Sequence, residues 1–524
     1  MGTEVVISGG GPNGLMLACE LCLAGVRPIV LEQLAEPGEE PKANGLLGEV
    51  VRLVDQRGLY ERLAGDAGPP VPNQAYVMFA AMPLDLSVLD ASPVYTLAVP
   101  QREIVAALIE RAVALGAEIR RGHELVGFAQ DDEGVEVEVV GPDGRYRLSS
   151  DYLVGADGAH SATRKLAGID FPGITYDRTT ARSAHATVPI DWVDARTGGL
   201  EIPGYGSVLP FLAHRTEQGG FSYAPFPGRP PLISTTEWDE AKSSEAMSLV
   251  ELEASIWRVL GAELPLGEPD GSEGNVLRRR YGGNTRIAGR FRQGRVFLVG
   301  DAAHVYGAAG GGPGLNLGFF DAVNLGWKLA AVLRREAGQE FLDSYERERR
   351  PAAERMSMST QAQAALIAPG ADVTALRGLF AELLGDVVTT QRIADLVAGV
   401  GLPYEMGAEK PHPSVGLLAP ELSLRGEQGA VRLAELTRAA RPLLIDMTER
   451  GTLAEEVREW GDTIEVVAAR PDGDPAVTAL LLRPDCHVAW ASASSDPGPA
   501  EREALRSSAG RWFGRSDRRG TANL

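Results

Sequence analysis

Cysteine is scarce in this sequence: Cys19, Cys22 and Cys486 are the only three in 524 residues. An odd number spread over so long a chain excludes a disulfide framework and fits a reducing compartment. Long apolar runs are missing too. No stretch approaches the roughly 18 to 20 consecutive apolar residues a spanning helix needs. Met1 leads into the apolar Val5, Val6 and Ile7 without a basic leader or a cleavage site, so a cytoplasmic protein off the membrane is expected. Positive charge is in deficit, with 51 Lys and Arg against 71 Asp and Glu and a formal charge of -20. That balance argues against nucleic acid as a partner, since such binders concentrate Lys and Arg into a positive footprint. The seven histidines, at 123, 160, 185, 214, 304, 412 and 487, are scattered without metal-ligand spacing, and no metal site is expected.

What is present is an ordinary globular composition, 44% hydrophobic and 23% charged, long enough for about three to four structural units that share a large interior. The chain opens as strand, glycine turn, helix and strand, a βαβ unit. Helix is expected over 49–64 and 102–115, and strand over 75–79 and 96–99. Over 118–154 the period shifts towards two, with Val135, Val137 and Val139 alternating with acidic residues and a turn at Pro142-Asp143-Gly144. Residues 171–283 are rich in strand formers, aromatics and prolines and read as a separate sheet domain. A buried strand at 296–299 returns the chain to the first domain and leads into a glycine-rich loop and a long helix. Further helices are expected over 340–365 and 373–397. Beyond a prolyl linker, short strands at 441–446, 464–469, 479–483 and 487–490 suggest a terminal α/β domain.

The loop Gly9-Gly10-Gly11-Pro12-Asn13-Gly14 fits the pattern G-x-G-x-x-G between a strand and a helix. Gly9 allows the tight turn, Gly11 lets a pyrophosphate approach the backbone, and Gly14 lets the helix pack on the sheet. Glu32 closes the next strand, where a carboxylate accepts from both ribose hydroxyls and repels a 2'-phosphate. The resident nucleotide is then FAD or NAD, not NADP.

Two later motifs decide between them. Val154-Gly155-Ala156-Asp157-Gly158-Ala159-His160-Ser161-Ala162-Thr163-Arg164 and Val299-Gly300-Asp301-Ala302-Ala303-His304 resemble the Asp-Gly and Gly-Asp motifs of the class A flavoprotein aromatic hydroxylases. That is the family of para-hydroxybenzoate hydroxylase and phenol hydroxylase, and the resemblance covers about residues 1 to 400. It implies that Asp157 is linked to FAD and NADPH, and that Gly300 and Asp301 meet the ribityl chain. It further implies that Pro313, Gly314, Leu315 and Asn316 open a helix whose positive end faces the flavin pyrimidine ring and favours its reduced anion. Lys42 stands where the family usually has an Arg near the FAD phosphates, and Gln101 matches a residue that contacts the cofactor. Two departures stand out. Relatives mostly read Pro-Pro-x-Gly-Gly-Gln-Gly where this chain has Gly307-Ala308-Ala309-Gly310-Gly311-Gly312-Pro313-Gly314, and Gln33 replaces a common Arg beside the ribose-binding Glu32.

The segment Leu482-Arg483-Pro484-Asp485-Cys486-His487-Val488-Ala489-Trp490 resembles the end of the thioredoxin-like appendage of larger phenol hydroxylases and aromatic-polyketide hydroxylases. With a lone Cys486 it points to a structural or assembly role. Cys19 and Cys22 form C-x-x-C inside the first helix, not at its N-terminus where a thiolate is stabilised, so they read as packing residues. The implied fold is α/β: a Rossmann-like FAD-binding domain of the glutathione-reductase type at 1–170 and 284–402, an inserted mixed β-sheet substrate domain at 171–283, and a thioredoxin-like domain at 403–524.

In that family NADPH reduces FAD, O2 adds to the reduced ring, and a C4a-hydroperoxide transfers one oxygen atom, so the protein must supply shape and dryness. The expected activity is hydroxylation of a bulky aromatic, a polycyclic polyketide in antibiotic metabolism, by a monomer or homodimer. Tyr205, Phe221, Tyr223 and Trp238 are candidate substrate liners. Arg52, near the flavin and substrate space, is a candidate to polarise a substrate or NADPH oxygen, and Pro313 is the candidate catalytic position in the loop beside the ring. Baeyer-Villiger insertion into a polycyclic ketone stays open as the alternative. A halogenase lacks its Trp-x-Trp-x-Ile-Pro motif here, and a non-catalytic drug binder would not oxidise NADPH on ligand binding.

Overall fold

The computed structural model describes residues 2–36, 38, 44–269, 275–307, 313–408, 410–426, 429–473 and 476–514. The parallel core strand Gly2–Ser8 lies between Ile29–Glu32 and Gly144–Gly155, with Glu118–Arg121 and Val296–Leu298 outside them, also parallel. Its Val5, Val6 and Ile7 are fully buried, the two-sided burial that parallel sheets require. The helix Pro12–Leu23 covers one face, started by Pro12, whose missing N–H costs nothing in the first turn. The expected meander is present: Glu124–Gln130 and Val135–Gly141 pair antiparallel and lead into Gly144–Gly155, with Val135, Val137 and Val139 buried.

The middle sheet is antiparallel throughout, not mixed as expected, ordered Ala213–Arg215, Gly219–Ala224, Leu232–Trp238, Gly173–His185, Leu277–Ile287 and His304–Val305. It runs past the expected boundary at 283 and takes its last strand from just beyond the Gly300-Asp301 turn, which stitches the two units together. The helix Leu249–Leu260 packs one face, where Leu252, Ile256 and Val259 meet Phe221, Tyr223 and Ile233.

Two expected helices are each broken in two. The stretch 49–64 divides into Glu49–Gln56 and Tyr60–Ala64 at Gly58, held at φ +65. The stretch 373–397 becomes Ala371–Leu383 and Val387–Ala398, the second capped by Asp386, which accepts from the Thr389 N–H. The long helices Gly314–Leu333 and Asp343–Ile367 complete the first unit. Among the described residues no single helix is long and apolar enough to cross a membrane.

The terminal unit has a sheet ordered Glu465–Ala468, Leu443–Asp446, Ala479–Leu482 and Val488–Ser492, covered by the helix Pro499–Phe513. It is docked by buried charges. Arg483 grips both oxygens of Glu348 at 2.8 Å and also pairs with Asp485, while Lys328 reaches Glu348 at 2.7 Å. Arg57, fully buried, joins Glu20 at 2.7 Å to the Pro484 carbonyl and the Cys486 sulfur.

Burial opposes charge on Glu348, yet Arg483 and Lys328 overcome it and hold its carboxyl down at about 2, from an ordinary 4.5. The unfolded chain therefore takes up a proton before the native chain does as pH falls from 4.5 to about 2. The stability Glu348 contributes, of order 3 kcal/mol, is present above that window and lost through it. Calorimetry is expected to show the melting temperature falling steeply below about pH 4.5, with a shallower fall in Glu348→Gln.

Candidate active site

Each glycine of the first loop answers to a different neighbour. Gly9 sits at φ +112, and a Cβ there would stand 2.3 Å from the Ala156 carbonyl oxygen; one on Gly14 would stand 2.0 Å from the Gly9 oxygen. These two glycines serve the protein's own packing. Gly11 does not: its φ is an ordinary -75, and an added Cβ would meet nothing within 4 Å. It borders open space at the N-terminus of a helix that no side chain caps, where backbone N–H groups and the helix dipole suit an anion. Glu32 is held beside this space by the Gly10 and Leu34 N–H groups, each at 2.9 Å, and Gln33 next to it is exposed.

Asn13 brings two distant segments together. Its side chain threads between Gly300 and Gly318, where added Cβ atoms would lie 2.0 and 2.2 Å from its amide nitrogen. Gly300 itself is at φ +58. Asp157 accepts from the Thr163 N–H and hydroxyl, both at 2.9 Å. Arg164 lies over the Phe171 ring and donates to the Ala159 and Ala302 carbonyls at 2.9 Å, which ties the Asp-Gly motif to the Gly-Asp motif. Asp301 is exposed, with a carboxylate oxygen 3.0 Å from where a Cβ on Gly314 would stand. Gln101 is half-buried as the first residue of the helix Gln101–Leu115.

Pro313 caps the helix Gly314–Leu333, its carbonyl accepting from the Leu317 N–H at 3.1 Å. Leu315 packs against the main core, and Asn316 donates to the Leu47 carbonyl at 3.1 Å. Lys42 and the glycines at 310, 311 and 312 lie outside the described residues. One further feature fits a bound FAD. Among the described residues the Oδ1 atoms of Asn13, Asp157 and Asn316 are buried without a hydrogen-bond partner. An orphaned buried acceptor costs about 1–3 kcal/mol unless a ligand donates to it, and the ribose and ribityl hydroxyls and the flavin imide are donors of that kind.

A cavity opens where this helix begins. Leu47, Val50, Met78 and Phe320 give it apolar walls, while Ser359, Thr360 and Gln363 give it one polar edge. Gln363 Oε1 accepts the Ala80 N–H at 3.2 Å, which fixes the amide, and its NH2 group donates to the Ser359 hydroxyl at 3.4 Å. Pro313 and Asn316 belong to the same wall. The spacing of Ser359, Thr360 and Gln363, one polar face on an otherwise mixed helix, is a signal that aromatic content alone hides.

None of the four aromatic candidates lines this cavity. Phe221 and Tyr223 point to the opposite face of their strand, into the core under Leu249–Leu260. Tyr205 packs on the same core, edge-on to His214, and Trp238 ends its strand half-buried. The sheet reaches the cavity's surroundings through a backbone contact: Ala213, paired with Ser222, donates its N–H to the sulfur of the cavity-lining Met78 at 3.1 Å. Arg52 is engaged by protein groups, two of them in the terminal unit. The residue is 9% exposed, and its guanidinium is bonded to the Ala419 carbonyl, to Glu421 at 3.2 Å and to Glu49 at 3.3 Å. The C-x-x-C pair is inert as expected: burial pushes the Cys19 thiol up to about 12 and that of Cys22 up to about 11.

A glycine turn at an uncapped helix N-terminus, Glu32 at the end of the next strand, the Asp301 turn and an adjoining apolar cavity fit a flavin-dependent oxygenase. Residues 2–360 match the FAD binding domain family and residues 412–516 the aromatic-ring hydroxylase C-terminal family. The chain belongs to these FAD-dependent aromatic-ring monooxygenases. It is 40% identical, over 98% of its length and 99% of the relative's, to a 12-dehydrotetracycline 5-monooxygenase/anhydrotetracycline 6-monooxygenase of Streptomyces rimosus. A rifampicin monooxygenase of Streptomyces venezuelae is 34% identical over 98% of both chains. The solved anhydrotetracycline hydroxylase from Streptomyces rimosus superposes with a TM-score of 0.83 at 38% identity, covering 98% of this chain and 99% of that one.

Proposed function

We propose that this protein is an NADPH- and O2-dependent monooxygenase that hydroxylates a bulky, polycyclic aromatic substrate of antibiotic metabolism. The observation that carries this reading is the cavity at the start of the helix Gly314–Leu333, with its apolar walls and single polar edge. That lining suits a largely apolar aromatic substrate that carries oxygen functions. The named relatives act on 12-dehydrotetracycline, anhydrotetracycline and rifampicin, all bulky compounds with aromatic rings.

Bound FAD supplies the redox chemistry: it carries two electrons from NADPH to O2, so that one oxygen atom enters the substrate and the other leaves as water. The chain's own residues bind and orient. The open N-terminus beside Gly11, Pro12 and Gly14 takes the pyrophosphate, and Glu32 accepts the ribose hydroxyls. Asn13, Asp157, Gln101, Gly300 and Asp301 line the path to the ring, and Asn316 offers its orphaned oxygen to a flavin N–H. Leu47, Val50, Met78 and Phe320 exclude water from the reacting carbon, while Gln363 and Ser359 seat the substrate's oxygen-bearing edge. We read the terminal unit as a thioredoxin-like appendage whose Cys486, buried and bonded to Arg57, supplies contacts and no thiol chemistry.

The test is to incubate the yellow protein with NADPH, heavy-oxygen O2 and a panel of polycyclic aromatics that includes anhydrotetracycline. One labelled oxygen atom per product, with ligand-stimulated NADPH oxidation, is the expected result. Consumption of NADPH that yields only hydrogen peroxide with every ligand would overturn the reading.

A further inference from the structure

The turn that carries Asp301 is held from behind by a buried path that ends in the terminal unit. Asp321 Oδ2 accepts both the Gly300 N–H, at 3.1 Å, and the His304 Nε2–H, at 2.6 Å. Its other oxygen accepts Arg349 Nε at 2.8 Å. Arg349 then donates in two directions: to the Leu317 carbonyl at 3.2 Å, in the helix that begins at the cavity, and to the Tyr404 hydroxyl at 2.9 Å. Tyr404 belongs to the terminal core, where its N–H bonds the Gly416 carbonyl and its ring stacks on His487 at 4.2 Å. His487 in turn bonds the Asp485 carbonyl at 3.0 Å. Asp321 and His304 are wholly buried, and Arg349, Tyr404 and His487 are 4%, 8% and 7% exposed.

Arg349 thus braces both sides of the flavin site at once. Its planar guanidinium fixes the angle between its two directions, so a partner lost on one side loosens the other. The terminal unit contributes one of those partners. We propose that the terminal unit serves the reaction by holding the Gly300-Asp301 turn in its FAD-binding geometry, with Asp321, Arg349 and Tyr404 as positioning residues. This goes beyond the proposed hydroxylation and does not depend on the substrate.

Tyr404→Phe removes one acceptor and almost no volume. FAD titrated into deflavinated protein is expected to bind about tenfold more weakly, the loss that goes with one charge-assisted hydrogen bond. Asp321→Asn, which weakens both the Gly300 and the Arg349 contacts, is expected to weaken binding further; should it fail to fold, Tyr404→Phe decides alone. Arg432→Ala is the comparison, because the Arg432–Asp55 pair at 2.6 Å joins the same two units away from the turn. It is expected to lower the melting temperature and leave FAD affinity unchanged. Wild-type FAD affinity in Tyr404→Phe would overturn the proposal. So would an equal weakening in Arg432→Ala, which would mark a general loosening of the interface.

Discussion

Arg483→Ala is expected to lower stability by about 3 to 5 kcal/mol, the cost of leaving buried charges without their partner. Arg483 is 1% exposed, bonded to both oxygens of Glu348 and to Asp485, with the Trp512 ring 4.4 Å from its guanidinium carbon. Removing it leaves Glu348 and Asp485 close together in a dry interface, with Lys328 the cation that remains at Glu348. Lys328 is a poor substitute, since burial drags its own ammonium down to about 8 despite Glu348 beside it. The truncation also opens a void against Trp327, Tyr404 and Trp512, which all lie near the guanidinium. Denaturant unfolding is the measurement. Arg483→Ala combined with Asp485→Ala is expected to cost less than the sum of the two single changes, because the second removes a charge that the first exposed. A loss below about 1 kcal/mol for Arg483→Ala would show that the pair is no more than a solvated surface bridge.

These features differ in how far the sequence alone discloses them. The cofactor cradle is legible because its residues answer to local backbone demands. Gly9 and Gly14 are fixed by close approach, Pro12 by its place in the first turn, and Glu32 by the end of the next strand. The terminal strands were also legible within a few residues, since each is a short apolar run between turn signals. What fails is anything settled by long-range docking. The Glu49–Arg52 spacing forecasts an ion pair, and the pair exists at 3.3 Å. Only the arrival of Ala419 and Glu421 buries it and gives the guanidinium partners in the terminal unit. Phe221 and Tyr223 show the limit of periodicity: a period of two places them on one face together but does not say whether that face meets the cavity or a helix. The polar edge of Ser359, Thr360 and Gln363 was missed for a related reason. Its helix carries charged and small residues throughout, and which stripe faces inward depends on the neighbouring helix Val387–Ala398 and the hairpin at Met78.

The sharpest separation of fold from cofactor is expected at Gly11. Gly11→Ala should still fold, with a modest loss of about 1 kcal/mol in apoprotein stability, because its φ of -75 suits alanine although the N-cap position prefers glycine to it. Its new methyl group meets no atom of the described residues within 4 Å. It would occupy the space through which a pyrophosphate reaches the helix N-terminus. Displacing the anion from even two backbone N–H groups, each worth about 1.5 kcal/mol or more to a charged acceptor, weakens FAD by roughly a hundredfold. Gly14→Ala should behave in the opposite order, since a Cβ 2.0 Å from the Gly9 oxygen forces the helix off the sheet and costs stability before any ligand is added. Thermal melts of the two apoproteins beside FAD titrations make the comparison. If Gly11→Ala keeps its yellow cofactor at wild-type affinity, the pyrophosphate lies elsewhere. The orphaned oxygens of Asn13, Asp157 and Asn316 would then need a different donor, because all three were matched to a dinucleotide running from this loop to the start of the helix Gly314–Leu333.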